Sequence, residues 1–216
     1  MTMLLRIDAS ARSQRSISRQ LSESFIRHWF LQNPGDNVIY RDVGSQPPGF
    51  ISQDWIAAAF TPKETRTDEQ NSLLALSDQL IDELKRADII VLATPMYNYG
   101  MPAALKAWVD QVVRVDQTFS FDLKRGDFPL EPLFSAKTLV LLTSCGEFGF
   151  NSGGIRANIN HLEPHIRTVS KYLGVETTHE LRVEYQEFAD DRHVNSLDNA
   201  HKAIPGIVSA VARQHR

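Results

Sequence analysis

The sequence predicts an α/β protein, an open parallel sheet with helices on both faces, and three observations predict it. Segments of β character alternate with segments of helical periodicity along the chain. Two of the β segments, DIIVLAT at 88–94 and KTLVLLTS at 137–144, are built around unbroken apolar runs at 89–93 and 139–142, the mark of strands covered on both faces. The helical segments each carry one apolar stripe, which suits a helix lying on a sheet.

The elements follow in order. MLLRIDA at 3–9 reads as the first strand. Ile17, Leu21, Phe25 and Trp29 then fall four apart on one helical face, and Asn-Pro-Gly at 33–35 ends that helix. VIYRDV at 38–43 is the second strand, followed by the turn-rich GSQPPG. Leu73, Leu76, Leu80, Ile81 and Leu84 mark the helix that leads into strand 88–94. After Pro102, which suits a helix's first turn, AALKAWVDQVV puts Leu105, Trp108, Val109 and Val112 in one stripe. A loop with Pro129 and Pro132 precedes strand 137–144. Residues 161–173 look helical, 175–185 extended, and 194–212 helical with a kink at Pro205. No repeat, low-complexity tract or composition break divides the 216 residues, so one domain over 1–216 is expected.

The composition, 42% hydrophobic and 23% charged, is that of an ordinary globular chain. A net charge of -3 argues against a nucleic-acid binder, with Arg12, Arg15 and Arg19 as a local basic exception. The one cysteine, Cys145, forbids an intramolecular disulfide framework and a cysteine-rich zinc site. His161 and His165 are four apart, but Pro164 disrupts that turn and no third ligand accompanies them, so no metal is expected. The apolar run before Arg6 is short for a signal peptide, and no run approaches the ~18 residues of a membrane span. A cytoplasmic protein is expected.

In open α/β sheets ligands bind outside the carboxyl ends of the strands, where the strand order reverses. That rule selects loops 10–18, 94–102 and 143–150. In the first, Ser10, Ser13, Ser16 and Ser18 surround the start of a helix, whose free N–H groups favour an anion and whose hydroxyl neighbours can complete a phosphate site. A plainer reading makes one serine a helix cap and leaves the rest in a solvated loop. Neither a P-loop nor a G-x-G-x-x-G fingerprint is present. The second loop, TPMYNYGMP, sets Met96, Tyr97, Asn98 and Tyr99 at a strand end, a platform for a flat aromatic ligand rather than a place for core packing. The third, TSCGEFGFNSGG, is glycine-rich, so its backbone can approach a ligand closely. No histidine lies near Cys145 in sequence, and a small residue beside a ligand suits it better than a reactive thiol.

PMYNYGMPAALKAWVD, together with the pattern D-x-S-x-R-x-x-x-S-x-S-x-x-L from Asp8, resembles the FMN-dependent NADH:quinone oxidoreductases that also reduce azo dyes, the azoreductase family of the flavodoxin-like fold. The resemblance runs from the first strand to the loop near 150, with weaker support beyond. It implies a five-stranded sheet in the order 2-1-3-4-5 and one FMN per subunit. The phosphate is then held by Ser10, Ser16, Ile17 and Ser18, and the ring by Met96, Tyr97, Asn98 and Tyr99. The third contact, typically S-R-G-G, here reads Ser144, Cys145, Gly146, Glu147, lacking an arginine and a glycine. The resemblance further implies a homodimer with active sites at the interface, the helix of Trp108 being a candidate contact. It implies no catalytic protein nucleophile: NADH reduces the flavin, and a quinone or azo compound then takes two electrons on the same face. Phe119, Phe121, Phe148 and Phe150 are candidates for shaping the acceptor pocket. An FAD-dependent quinone reductase of the same fold is the nearest rival; a flavodoxin-type electron carrier or a chain that has lost its flavin stand further off.

Overall fold

The computed structural model describes residues 1–215. Its central sheet is built from β1 (Met3–Asp8), β2 (Asn37–Asp42), β3 (Ile89–Pro95), β6 (Lys137–Ser144) and β7 (Val175–Val183), all parallel, in the order β2-β1-β3-β6-β7. Counting only these strands, that is 2-1-3-4-5, as the resemblance implied. The remaining two, β4 (Phe119–Phe121) and β5 (Leu130–Pro132), form a separate antiparallel hairpin where the sequence suggested only a proline-containing loop.

The pleat of the central strands sorts their side chains onto two faces. Ile89, Val91 and Ala93 of β3, with Val140 and Leu142 of β6, meet Leu21, Phe25 and Trp29 of α1 (Ile17–Gln32) and Ile204, Val208 and Val211 of α6 (Asp191–Gln214). Ile90, Leu92, Leu139 and Leu141 point the other way. They meet α3 (Asp68–Arg86) through Leu80 and Leu84, α4 (Ala103–Val112) through Leu105 and Trp108, and α5 (Glu163–Ser170) through Ile166. Strands buried on both faces explain the uninterrupted apolar runs at 89–93 and 139–142.

Some elements depart from the sequence expectation. α2 (Gln53–Phe60), capped by Ser52, occupies a stretch with no predicted element. α5 starts at Glu163, with Pro164 in its first turn, and tightens into a 3-10 turn at Lys171–Leu173. His161 therefore precedes the helix, and the two histidines do not share a helical face. α6 begins three residues before the expected 194 and continues through Pro205.

Candidate functional site

The strand order reverses between β1 and β3, since the chain leaves β1 for β2 on one side and returns to β3 on the other. At the carboxyl ends of these strands lies a cleft of about 200 Å3, lined by Ser10, Arg12, Ser16, Ile17, Met96, Tyr97, Ser144, Cys145 and Gly146, with Arg15, Pro95, Gln186 and Glu187. A neighbouring hollow of about 220 Å3 shares Met96, Cys145, Gly146 and Glu187 and adds Asn98, Tyr99, Glu147 and Phe150. Three loops that are far apart in sequence thus meet at one place.

One end of the cleft is built for an anion. Ser16 is the N-cap of α1, and its Oγ accepts the Arg19 backbone N–H at 3.5 Å. The next two amides, Ile17 and Ser18, find no protein acceptor among the described residues. The first turn of α1 holds no acidic side chain to compete for them. Ser10 faces this terminus from the end of β1, its Oγ accepting the Arg12 backbone N–H at 3.2 Å. Arg12 and Arg15 line the same end, and neither is ion-paired among the described residues. Free amides, hydroxyls and two guanidinium groups converging on one hollow are a donor set that fits a phosphate. Ser18 is fully buried and does not itself line the cleft; its hydroxyl lies 3.4 Å from that of Ser16.

The other end suits a flat ring. Tyr97 and Gly100 exchange backbone hydrogen bonds of 3.1 and 3.0 Å around Asn98 and Tyr99, whose φ values are 46° and 66°. This is the mirror-image two-residue hairpin turn, which normally asks for glycine in one or both central positions. Holding a tyrosine in that left-handed region costs ~1–2 kcal/mol, strain of the kind found where a loop must present particular side chains. The turn leaves Tyr97 and Tyr99 exposed, with Tyr99 tilted toward Phe150 at 6.3 Å between centroids.

The third wall comes from the end of β6. The loop beyond β7 is laced to it by backbone bonds: Tyr185 to Glu147, Gln186 to Cys145 and Glu187 to Gly146, at 3.0, 3.3 and 3.0 Å. Cys145 is buried, and burial, reinforced by Glu184, pushes its thiol up to about 12, so it stays protonated and serves as a small wall residue. Arg156 pairs with Glu147 at 3.0 Å and lies over the Phe148 ring, whose other neighbours are Tyr185 and Phe188. Of the four candidate pocket phenylalanines only Phe150 lines the hollow. Phe148 stacks on Tyr185 behind the wall, while Phe119 and Phe121 stand on the β4–β5 hairpin, Phe119 against Tyr172.

Gln186 and Glu187 were not foreseen. The carboxyl-end rule, applied to the strand at 175–185 as it was to the others, selects their loop as well.

This sheet order, with unpaired helix amides and an aromatic turn at its switch point, is that of an α/β mononucleotide-binding protein, and a model of the flavodoxin-like fold matches residues 2–204. The FMN-dependent NADH:quinone oxidoreductase 2 of Colwellia psychrerythraea is 58% identical over 96% of this chain and 98% of its own length. The enzyme of the same name from Idiomarina loihiensis is 57% identical, over 93% and 86%. The chain belongs to the family of FMN-dependent NADH:quinone oxidoreductases. Its fold is shared by a solved FMN-dependent NADH-azoreductase from Bacillus anthracis in complex with FMN, with a TM-score of 0.85 and 16% identity, covering 98% of this chain and all of the other.

Proposed function

We propose that this chain is an FMN-dependent NADH:quinone oxidoreductase that also cleaves aromatic azo compounds reductively, and that it works as one domain. The observation that carries the reading is the meeting, at one switch point, of two helix amides that have no protein acceptor among the described residues with an aromatic turn. Ser10, Ser16 and the amides of Ile17 and Ser18 hold the FMN phosphate, with Arg12 and Arg15 balancing its charge. Buried Ser18 acts through Ser16. Met96, Tyr97, Asn98 and Tyr99 wall the ring. At the wall of Ser144, Cys145, Gly146 and Glu147, whose carbonyls are taken by Met96, Gln186, Glu187 and Tyr185, the Gly146 and Glu147 amides have no protein acceptor among the described residues and are offered to its polar edge. When bound, FMN would supply two-electron chemistry between NADH and the acceptor, one NADH for each quinone reduced to quinol and two for each azo bond cleaved to its amines.

The protein's own part is binding and orientation, with no nucleophile: the cleft's thiol is held protonated, and no histidine lines it. We read the chain as a homodimer with active sites at the interface: Trp108 itself is buried in the core, and exposed Phe60, Phe121, Leu123 and Phe128 supply apolar surface for the contact. In such a dimer Phe119 and Phe121 join Phe150 in shaping the acceptor pocket, while Phe148, stacked on Tyr185, stays behind it. A cytoplasmic location accords with the absence, among the described residues, of any helix long and apolar enough to cross a membrane.

The test has two parts. The purified protein is expected to be yellow with one FMN per chain, identified by mass spectrometry of the extracted flavin, which separates it from FAD. Steady-state rates with NADH and a quinone are expected to give parallel double-reciprocal lines, because one site serves donor and acceptor in turn. A chain that takes up no flavin from excess FMN, or intersecting lines, overturns the reading.

A further inference from the structure

Arg19 occupies an unfavourable place for a cation, the first turn of a helix, where the dipole repels it. Its side chain turns back instead toward the sheet. Nη1 and Nη2 each donate to a carboxylate oxygen of Asp42 at 2.6 Å, a fork-to-carboxylate geometry, and Nη2 also donates to the Ser10 carbonyl at 2.7 Å. Nη1 lies 3.7 Å from buried Asp8, which Ser22 and Tyr40 also engage. The Arg19 side chain is 11% exposed and that of Asp42 21%. The Arg19 backbone amide meanwhile donates to Ser16 Oγ. Both serines that line the anion end of the cleft are therefore tied to this one residue, Ser16 by its hydroxyl and Ser10 by its carbonyl.

Gly44, just past β2, belongs to the same arrangement. A Cβ there would overlap the Ser10 carbonyl and come within 2.9 Å of Arg19 Nη2. Only glycine lets the β2 end close on the β1 end tightly enough for Asp42, Arg19 and the Ser10 carbonyl to meet. Burial raises the Asp42 carboxyl, yet hydrogen bonds from Arg19 and Ser45 outweigh it and hold it well below the usual carboxylate range, so the pair stays charged.

We propose that Arg19 is a positioning residue for the cofactor phosphate: clamped between Asp42 and the Ser10 carbonyl, it fixes the spacing of Ser10 against Ser16 before the ligand arrives. The inference rests on the FMN reading of the cleft. A site held in its bound geometry forfeits less ordering entropy on binding, so losing the clamp weakens the phosphate contacts while leaving the ring contacts alone.

The experiment titrates deflavinated full-length protein with FMN and with riboflavin, which shares the ring but lacks the phosphate, and records thermal unfolding of each variant. Arg19→Lys keeps the positive charge near Asp8 and Asp42 but lacks the fork needed to hold both Asp42 oxygens and the Ser10 carbonyl together. The double variant Arg19→Met with Asp42→Leu removes the pair without stranding either charge against the other. Gly44→Ala presses on the Ser10 carbonyl from the other side. The FMN Kd is expected to rise on the order of tenfold in each folded variant, with riboflavin affinity changing less than the scatter of the titration. If both flavins weaken in step, or neither does, in variants that remain folded, Arg19 has only a structural role and the proposal is overturned. A wild-type chain that binds neither flavin overturns the FMN reading and the inference with it, and is told apart by failing before any substitution is made.

Discussion

Replacing Ser16 by aspartate separates the two jobs the structure gives this residue. As N-cap of α1, Ser16 is satisfied equally well by an aspartate, which ranks with serine as a cap and gains ~0.3–1 kcal/mol from the helix dipole. The apo fold should therefore hold or stiffen slightly. In the cleft the outcome reverses, because the new carboxylate stands where a phosphate must share the amides of Ile17 and Ser18. Two unit charges ~4 Å apart in an effective dielectric of ~20 repel by about 4 kcal/mol, which is roughly a thousandfold in Kd. Arg12 and Arg15 line the same end and offset part of this, so the figure is an upper value. Ser16→Ala instead loses both: the lost cap costs about 1 kcal/mol of stability, and the lost charge-assisted hydrogen bond about 1.5–3 kcal/mol of FMN binding. Fluorescence titration with FMN and riboflavin, beside thermal unfolding of the apo protein, reads both quantities. An aspartate variant that is folded and binds FMN as the wild type does would refute the assignment of the phosphate to this helix start.

Two further outcomes follow from the cleft walls. The Cys145 thiol, raised from 9.0 to about 12 chiefly by burial, keeps its proton in the folded state after the unfolded chain has lost it. Its stabilising contribution is therefore complete below pH 9 and lost as the pH climbs toward 12, and Cys145→Ala should flatten that alkaline decline in urea midpoints. Rapid alkylation of the native protein near neutral pH would contradict it. Tyr99→Gly should leave stability within ~1 kcal/mol of wild type, since relief of left-handed strain is offset by the glycine's freedom when unfolded. FMN affinity should nevertheless fall as the aromatic wall is lost, and a sharp drop in melting temperature would show that the ring, not the backbone, holds the turn.

How far each element was legible tracks how local its cause is. β3 and β6 read clearly because burial on both faces makes their centres, 89–93 and 139–142, unbroken apolar runs, and α1 because Leu21, Phe25 and Trp29 repeat at helical spacing over sixteen residues. α2 has eight residues, and its stretch QDWIAAAF is too short to display a period; Trp55 is fixed by a tertiary bond to Gln111 at 3.2 Å, which no local pattern contains. The hairpin strands FSF and LEP have three residues each, and Phe119 is seated by Tyr172 from a distant turn. α6 carries Pro205 inside its span because Ala200, Ile204, Val208 and Val211 anchor both sides of the proline against the sheet.

For the site, the rule about strand ends located three of the four loops from sequence, and the residues in them fall around connected hollows because parallel strands deliver all their carboxyl ends to one edge. The serine loop posed a choice between cap and cradle, and the structure shows why sequence could not make it. A cap and an anion site draw on the same resource, the unpaired amides of a first turn, and Ser16 spends its hydroxyl on one amide while two more stay free. Capping shapes the cradle instead of competing with it. The same economy puts Arg19 at the third position of α1, where its amide completes the cap and its guanidinium fastens the facing strand. The basic cluster that stood out against a slightly acidic chain thus divides by geometry: Arg12 and Arg15 line the cleft without ion partners among the described residues, while Arg19 is consumed in holding the loop that presents them.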